Sequence, residues 1–137
     1  MSNSSLDLVQ IIRQKLIEDE SVSNIVGANI YTAHIYDADD GTSPMPCIIV
    51  TLETGFSMSN RAVQFQDYEV YAYSKISQGE AMGLYDKIYS TLQSARLAVD
   101  GISAKGLMTE RTRPISGYND RLKAWWVRAG WHVASAG

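Results

Sequence analysis

The chain has 137 residues, one cysteine and a formal net charge of −3, with 45% hydrophobic and 20% charged residues. That composition is globular, and the length suits a single domain over 1–137 with a core of its own. Wholesale disorder is excluded, and no apolar run nears the ~20 residues that span a bilayer, so no membrane partner is expected.

The N-terminal Met1-Ser2-Asn3-Ser4-Ser5 lacks the basic segment and apolar core of a signal peptide. Cys47 has no second cysteine to pair with, which fits an intracellular origin. Charge is uneven along the chain. Residues 1–60 carry two basic and eight acidic groups, a balance of −6, and residues 61–137 carry ten basic and seven acidic, a balance of +3. Such a chain can self-associate head to tail, unless its two halves intermix in space and the asymmetry cancels.

Ser4 or Ser5 can cap a first helix, with Asp7 in its first turn and Leu8, Val9, Ile12 and Leu16 as its buried stripe. Glu18-Asp19-Glu20 ends it, because the dipole disfavours anions at a helix C-terminus. Ser21–Gly27 reads as a short helical turn stopped by Gly27. Ile30–Tyr36 is a strand and 37–46, rich in Asp, Gly and Pro, a loop. Cys47–Glu53 is a strand apolar on both faces at its start, hence central. Thr54–Asn60 reads as a mobile connection. Arg61–Ser74 forms a third strand whose apolar parity moves from Val63 and Phe65 to Val70 and Ala72, predicting a bulge near Gln66-Asp67.

Ser77-Gln78-Gly79-Glu80 is a capping box, and Ala81, Leu84, Tyr85, Ile88, Leu92 and Ala95 continue as one apolar helical stripe. A hairpin follows, with strands Ile102–Arg113 and Arg121–Ala134 and its turn over Pro114–Asp120. On the return strand Trp125, Val127, Ala129, Trp131 and Val133 share one face, and Trp126, Arg128, Gly130 and His132 the other.

Chemistry-bearing motifs are scarce. Asp37-Ala38-Asp39-Asp40-Gly41 resembles the start of a calcium loop, but its glycine falls at the fifth position and Ile48 stands where a bidentate Glu belongs. Zinc needs clustered Cys and His, and Cys47, His34 and His132 are scattered. Cys47 opens a buried strand and reads as an inert thiol rather than a nucleophile. No phosphate loop, dinucleotide fingerprint or nucleophile elbow occurs. No metal, cofactor or catalytic residue is expected.

Symmetric pairing about Gly117 would set Arg113 opposite Arg121 and Arg111 opposite Lys123. Like charges facing one another destabilise a ribbon unless solvent or an acidic partner offsets them. The ribbon is read as solvated or as a protein contact, since an acidic chain with little aromatic interleaving beyond Tyr118 argues against nucleic acid. Trp126, placed beside Tyr71 or Tyr73, marks an interface unless a loop of the same chain covers it.

Composition and spacing stop at a soluble α+β domain. Taken in order, however, the elements resemble a known family. A short helix, a helical turn ending in Gly27 and Ile30-Tyr31 come first. Pro44-Met45-Pro46 then leads into Cys47-Ile48-Ile49-Val50, and Tyr68–Ser74 precedes the Ser77–Ala95 helix. Trp125-Trp126-Val127-Arg128 closes the chain. This order is similar to the tail-completion, or tail-terminator, proteins of long-tailed bacteriophages.

The resemblance implies an α+β fold with helices packed on one face of a mainly antiparallel, four- to five-stranded sheet. It implies a virion protein at the tail–head junction, assembled in the host cytoplasm as a homo-oligomeric, hexameric ring. Its partners would be the tail tube protein, whose growth it ends, and the head-closure or connector protein, with DNA passing through unbound. It implies no catalysis and no cofactor. On that reading Asp37, Asp39 and Asp40 meet the Arg111, Arg113, Arg121 and Lys123 hairpin of a neighbour or line the channel, and Trp126 is an interface residue. The alternatives are another neck component, such as a head-closure or connector-adaptor protein, and a cytosolic binding module that uses the aromatic sheet face as a pocket.

Overall fold

A computed structural model describes residues 5–27, 29–32, 45–56, 63–93, 96–98, 105–110 and 112–136. Among these residues three helices and seven strands run as α1 (Ser5–Glu18), α2 (Glu20–Val26), β1 (Ile30–Tyr31), β2 (Cys47–Phe56), β3 (Val63–Ser74), α3 (Gln78–Leu92), β4 (Arg96–Ala98), β5 (Lys105–Glu110), β6 (Ile115–Asn119) and β7 (Ala124–Ala136). All strands join one sheet in the order β1-β2-β3-β7-β5-β4, with β6 also paired to β7. Among the described residues only β1–β2 is parallel. The class is therefore α+β with a mainly antiparallel sheet. Five of its strands are five residues or longer, and β1 and β4, of two and three residues, extend it at the edges.

The helices cover one face. Ile12 and Leu16 of α1, Val22 and Val26 of α2 and the α3 stripe meet Ile48, Val50, Tyr68, Val70, Val127 and Trp131 from the sheet. That stripe is Ala81, Leu84, Tyr85, Ile88 and Leu92, all buried, as the 3.6-residue period requires. The helix stops at Leu92, with Gln93 as its C-cap, so Ala95 lies beyond it and outside the described residues.

Local chemistry fixes the helix ends. Asp19 is not a misplaced anion at the end of α1 but the N-cap of α2, accepting from the Ser21 and Val22 amides. Gly27 closes α2 at φ 60 and ψ −126, backbone space that side chains avoid. Ser77 caps α3 by accepting from the Glu80 amide at 3.0 Å. The Glu80 carboxylate, however, reaches Ser74 Oγ at 2.5 Å rather than closing the box on the Ser77 amide. Ser74, fully buried, accepts from the Ile76 and Ser77 amides and donates to Glu80, joining the end of β3 to the start of α3.

Three expectations are corrected. β2 runs through Phe56, so the connection after it begins later than Thr54. The bulge lies on β2, where the register slips between Leu52 and Thr54, while β3 pairs with β7 without a break. The hairpin turn is not Pro114–Asp120: Gly117 pairs with Trp126 inside β6–β7, and the chain reverses over residues 120–123. Arg113 consequently does not face Arg121, and both Arg121 and Lys123 stand in the turn. Asn119 Oδ1 builds that turn by accepting from the Leu122 amide at 3.0 Å, and Lys123 adopts φ 55.

Candidate functional site

The sheet face away from the helices divides into an apolar end and a charged end. At the apolar end Cys47, Ile49, Tyr71, Tyr73, Leu122 and Ala124 form a second buried cluster, with Trp126 half-buried against it. Leu122, from the β6–β7 turn, is 1% exposed, so the turn folds its apolar residue inward while Arg121 and Lys123 remain exposed. Tyr71 and Tyr73 stack with ring centroids 5.8 Å apart. Burial pushes the Cys47 thiol up to about 12, and its Sγ lies 3.7 Å from Met45 Sδ, so the nucleophilic thiolate is suppressed.

Trp126 stands on the sheet face that the alternation of β7 predicts. It does lie beside Tyr73, its cross-strand partner, on the face opposite Trp125. It is only half-buried, with the Arg128 guanidinium 5.6 Å from its ring centroid. Its other neighbour is Gly117, which the indole overlies so closely that no side chain fits between them.

At the charged end, acid–base pairs cross from β3 to β7. Arg128 Nη1 lies 3.7 Å from Glu69, which also accepts from the Tyr71 hydroxyl at 3.2 Å. His132 Nδ1 lies 2.8 Å from Asp67. Burial, the largest cause, raises the Tyr71 phenol above its usual range. A cleft of about 310 Å³ opens beside these pairs, lined by Glu69, Thr112, Arg113, Ile115, Arg128 and Gly130. Thr112 closes its floor: its hydroxyl accepts from the Gly130 amide at 2.7 Å.

The residues singled out in the sequence separate into groups. Asp37, Asp39, Asp40 and Arg111 lie outside the described residues. Arg113 stands exposed at the cleft, Arg121 and Lys123 lie past the far end of β6, and Trp126 sits between them on the sheet. Among the described residues no three His, Cys, Asp or Glu side chains converge as a metal site requires.

Sequence reasoning missed a second surface. Among the described residues five large apolar side chains are exposed, and four of them, Ile76 (72%), Met82 (52%), Ile115 (50%) and Tyr118 (46%), lie on or beside β6 and the start of α3. Met82, Tyr85, Pro114, Ile115 and Val127, with Asp86, line a groove of about 90 Å³ between helix and strand. Gln78 Nε2 donates to Ser116 Oγ at 2.6 Å across it. One signal was legible: Met82 lies off the apolar stripe of its own helix, where a polar residue is the rule.

No protein-family model matches the chain, and no curated protein matches it in sequence. Solved structures match it in fold. One is a chain of a structure titled "Virion of native gene transfer agent (GTA) particle", 15% identical, with a TM-score of 0.71 over 95% of each chain. A second is 11% identical, with a TM-score of 0.54 over 96% of each chain. At those identities the likeness is one of fold, and it runs the length of the chain.

Proposed function

We propose that this chain is a structural protein of a phage-like virion, and that it acts as a tail terminator: a ring that caps the tail tube, ends its growth and joins it to the head connector. The observation that carries the first part is the full-length likeness in fold to a chain of a gene transfer agent virion. The finer role rests on the order of elements that resembles the tail-completion family. On this reading the chain assembles as a closed ring, a hexamer by that resemblance, meets other virion proteins and has no catalytic role or cofactor. The acidic 37–40 segment and the basic residues Arg111, Arg113, Arg121 and Lys123 are its candidate contacts.

The test is addition of the purified protein to growing tail tubes of the same particle, followed by negative-stain imaging. Terminator activity should give ring density at one tube end and halt elongation when more tube protein is supplied. Tubes that keep growing, with the protein found instead on isolated head connectors, would favour the other neck roles. A protein that meets neither would overturn the virion reading.

A further inference from the structure

Along β7 the residues on the sheet face away from the helices are Trp126, Arg128, Gly130 and His132. Gly130 sets no side chain between Arg128 and His132, which leaves room for the cleft of about 310 Å³ beside it. The walls of that cleft hold two guanidinium groups, Arg113 and Arg128, against one carboxylate, Glu69. Its lining is therefore net positive, in a chain whose net charge is −3.

The two arginines are in different states. Arg128 is positioned from three sides: its guanidinium lies 5.6 Å from the Trp126 ring centroid, Nη1 is 3.7 Å from Glu69, and it donates to the Tyr71 oxygen. Its side chain is still 39% exposed. Arg113 is exposed, and among the described residues no carboxylate pairs with it. A positioned guanidinium and an unengaged one on the same cleft suit a planar anion, because each presents N–H donors in a fork that matches two oxygens. Thr112 adds a further donor. Its hydroxyl accepts from the Gly130 amide at 2.7 Å, so its own hydrogen is left to give.

Glu69 decides which anion fits. A nucleic-acid backbone brings a run of negative charges, and both Glu69 and the acidic chain oppose it. A single carboxylate has only to share Arg128 with Glu69, whose 3.7 Å separation exceeds the roughly 2.7–2.9 Å of a charge-assisted hydrogen bond. Ile115, half exposed on the same rim, gives the carbons next to such a carboxylate an apolar contact. Sites for free small molecules are lined mostly by apolar side chains, whereas here Ile115 and Ala129 are the apolar lining. An anchored side chain suits this cleft better than a free one.

We infer that the cleft binds a carboxylate side chain on an acidic segment of another protein, held by Arg113 and Arg128 with Ile115 against its neighbouring carbons. Trp126 serves this contact from behind, as the wall that fixes Arg128. The inference deepens the assembly proposed above and rests on that reading for its setting, which makes the other protein a neighbour in the virion. The site itself follows from the residues of the cleft.

The experiment is an amide-resolved NMR titration of the full chain with a short capped peptide that carries one glutamate beside one leucine. Saturable shifts are expected at the Gly130 amide and at the Arg113 and Arg128 side-chain N–H signals. The same peptide with glutamine for glutamate should bind at least about tenfold more weakly. Arg113→Gln should weaken binding by about tenfold, and its circular dichroism and melting temperature should match wild type because the side chain is exposed. Glu69→Gln removes the carboxylate that competes for Arg128 and should tighten binding several-fold, a gain that no loss of structure produces. Propionate, inorganic phosphate and a short DNA duplex should each bind more weakly than the peptide.

The absence of a saturable shift at Gly130, equal binding of the glutamine peptide, or an Arg113→Gln variant that binds like wild type would each overturn the site. So would weaker binding by Glu69→Gln, or tighter binding of propionate, phosphate or DNA. The tail-tube assay judges the wider reading separately. A chain that caps tubes but ignores the peptide would lose this site alone, and one that binds the peptide but ignores tubes would keep the site without the virion role.

Discussion

The indole of Trp126 lies over Gly117, and a Cβ built on that glycine would stand 2.5 Å from Cζ2 and 2.8 Å from Cε2. The two residues are cross-strand partners in β6–β7. The contact locks a half-buried tryptophan between Gly117 on one side and Tyr73 on the other. Gly117→Ala should therefore destabilise the fold by about 1–3 kcal/mol through overpacking. A Trp126→Leu background should shrink that cost, and urea unfolding of the two single variants and the double one measures the coupling.

Ser74 is a second point of leverage. Its hydroxyl accepts from two amides and donates to Glu80 while fully buried. Ser74→Ala should cost about 1–3 kcal/mol, because two part-buried amides lose their acceptor and the Glu80 carboxylate its donor. Ser77→Ala removes only the cap on the Glu80 amide, and should cost about 1 kcal/mol. Chemical denaturation should rank the two variants in that order, and the reverse ranking would mean that the cap, not the buried hydroxyl, holds the β3–α3 junction.

The β6–β7 turn should respond oppositely at neighbouring positions. Leu122 is buried against Cys47 and Tyr73, and Leu122→Ala should cost about 2–4 kcal/mol. Lys123 holds φ 55, a left-handed conformation that costs an L residue about 1–2 kcal/mol. Lys123→Gly should be neutral or stabilising, and Lys123→Val clearly destabilising. Melting temperatures of the three variants check the pattern.

Stability should fall at alkaline pH. Burial raises the Cys47 thiol from its ordinary value of 9.0 to about 12, so the folded state holds a proton that the unfolded chain releases. The fold is thus unaffected by this group below pH 9, and loses stability as pH climbs from about 9 to about 12, by up to about 1.4 kcal/mol per pH unit. Burial raises the Tyr68 and Tyr85 phenols as well, so their contributions have the same sign at higher pH. Urea midpoints measured at pH 7, 9 and 10.5 should decline, and Cys47→Ala should flatten the decline.

Where burial has a period, the sequence was legible. The α3 stripe, the Ser77 cap, the start of β2 that is apolar on both faces and the opposed faces of Trp125 and Trp126 all follow from the spacing of the residues themselves. The hairpin turn was not legible, because Pro114, Gly117, Asn119 and Asp120 carry the usual turn signals. Gly117 is in the strand for a different reason, the close approach of Trp126, and the actual turn places a lysine at positive φ and buries a leucine. The parity change along β3 predicts a bulge there, but β3 keeps an unbroken register with β7 and the extra residue, Glu53, stands on β2. The groove at β6 has no sequence signal for a simpler reason: Met82 and Ile115 are far apart in sequence and line one groove only because α3 packs beside β6.

That packing makes α3 a strut as well as a core element. Its first turn is tied to β6 by the Gln78–Ser116 hydrogen bond and its last turns to the α1–α2 junction by one between Thr91 and Asp19, so its fifteen residues hold the β6 edge and that junction at a set distance and angle. A helix lengthens by about 1.5 Å and rotates by about 100° with every residue added. A single insertion in α3 would therefore twist one end against the other far more than it would lengthen the span. The relative setting of the β6 edge and the α1–α2 junction is therefore a property of this one helix rather than of the loops around it.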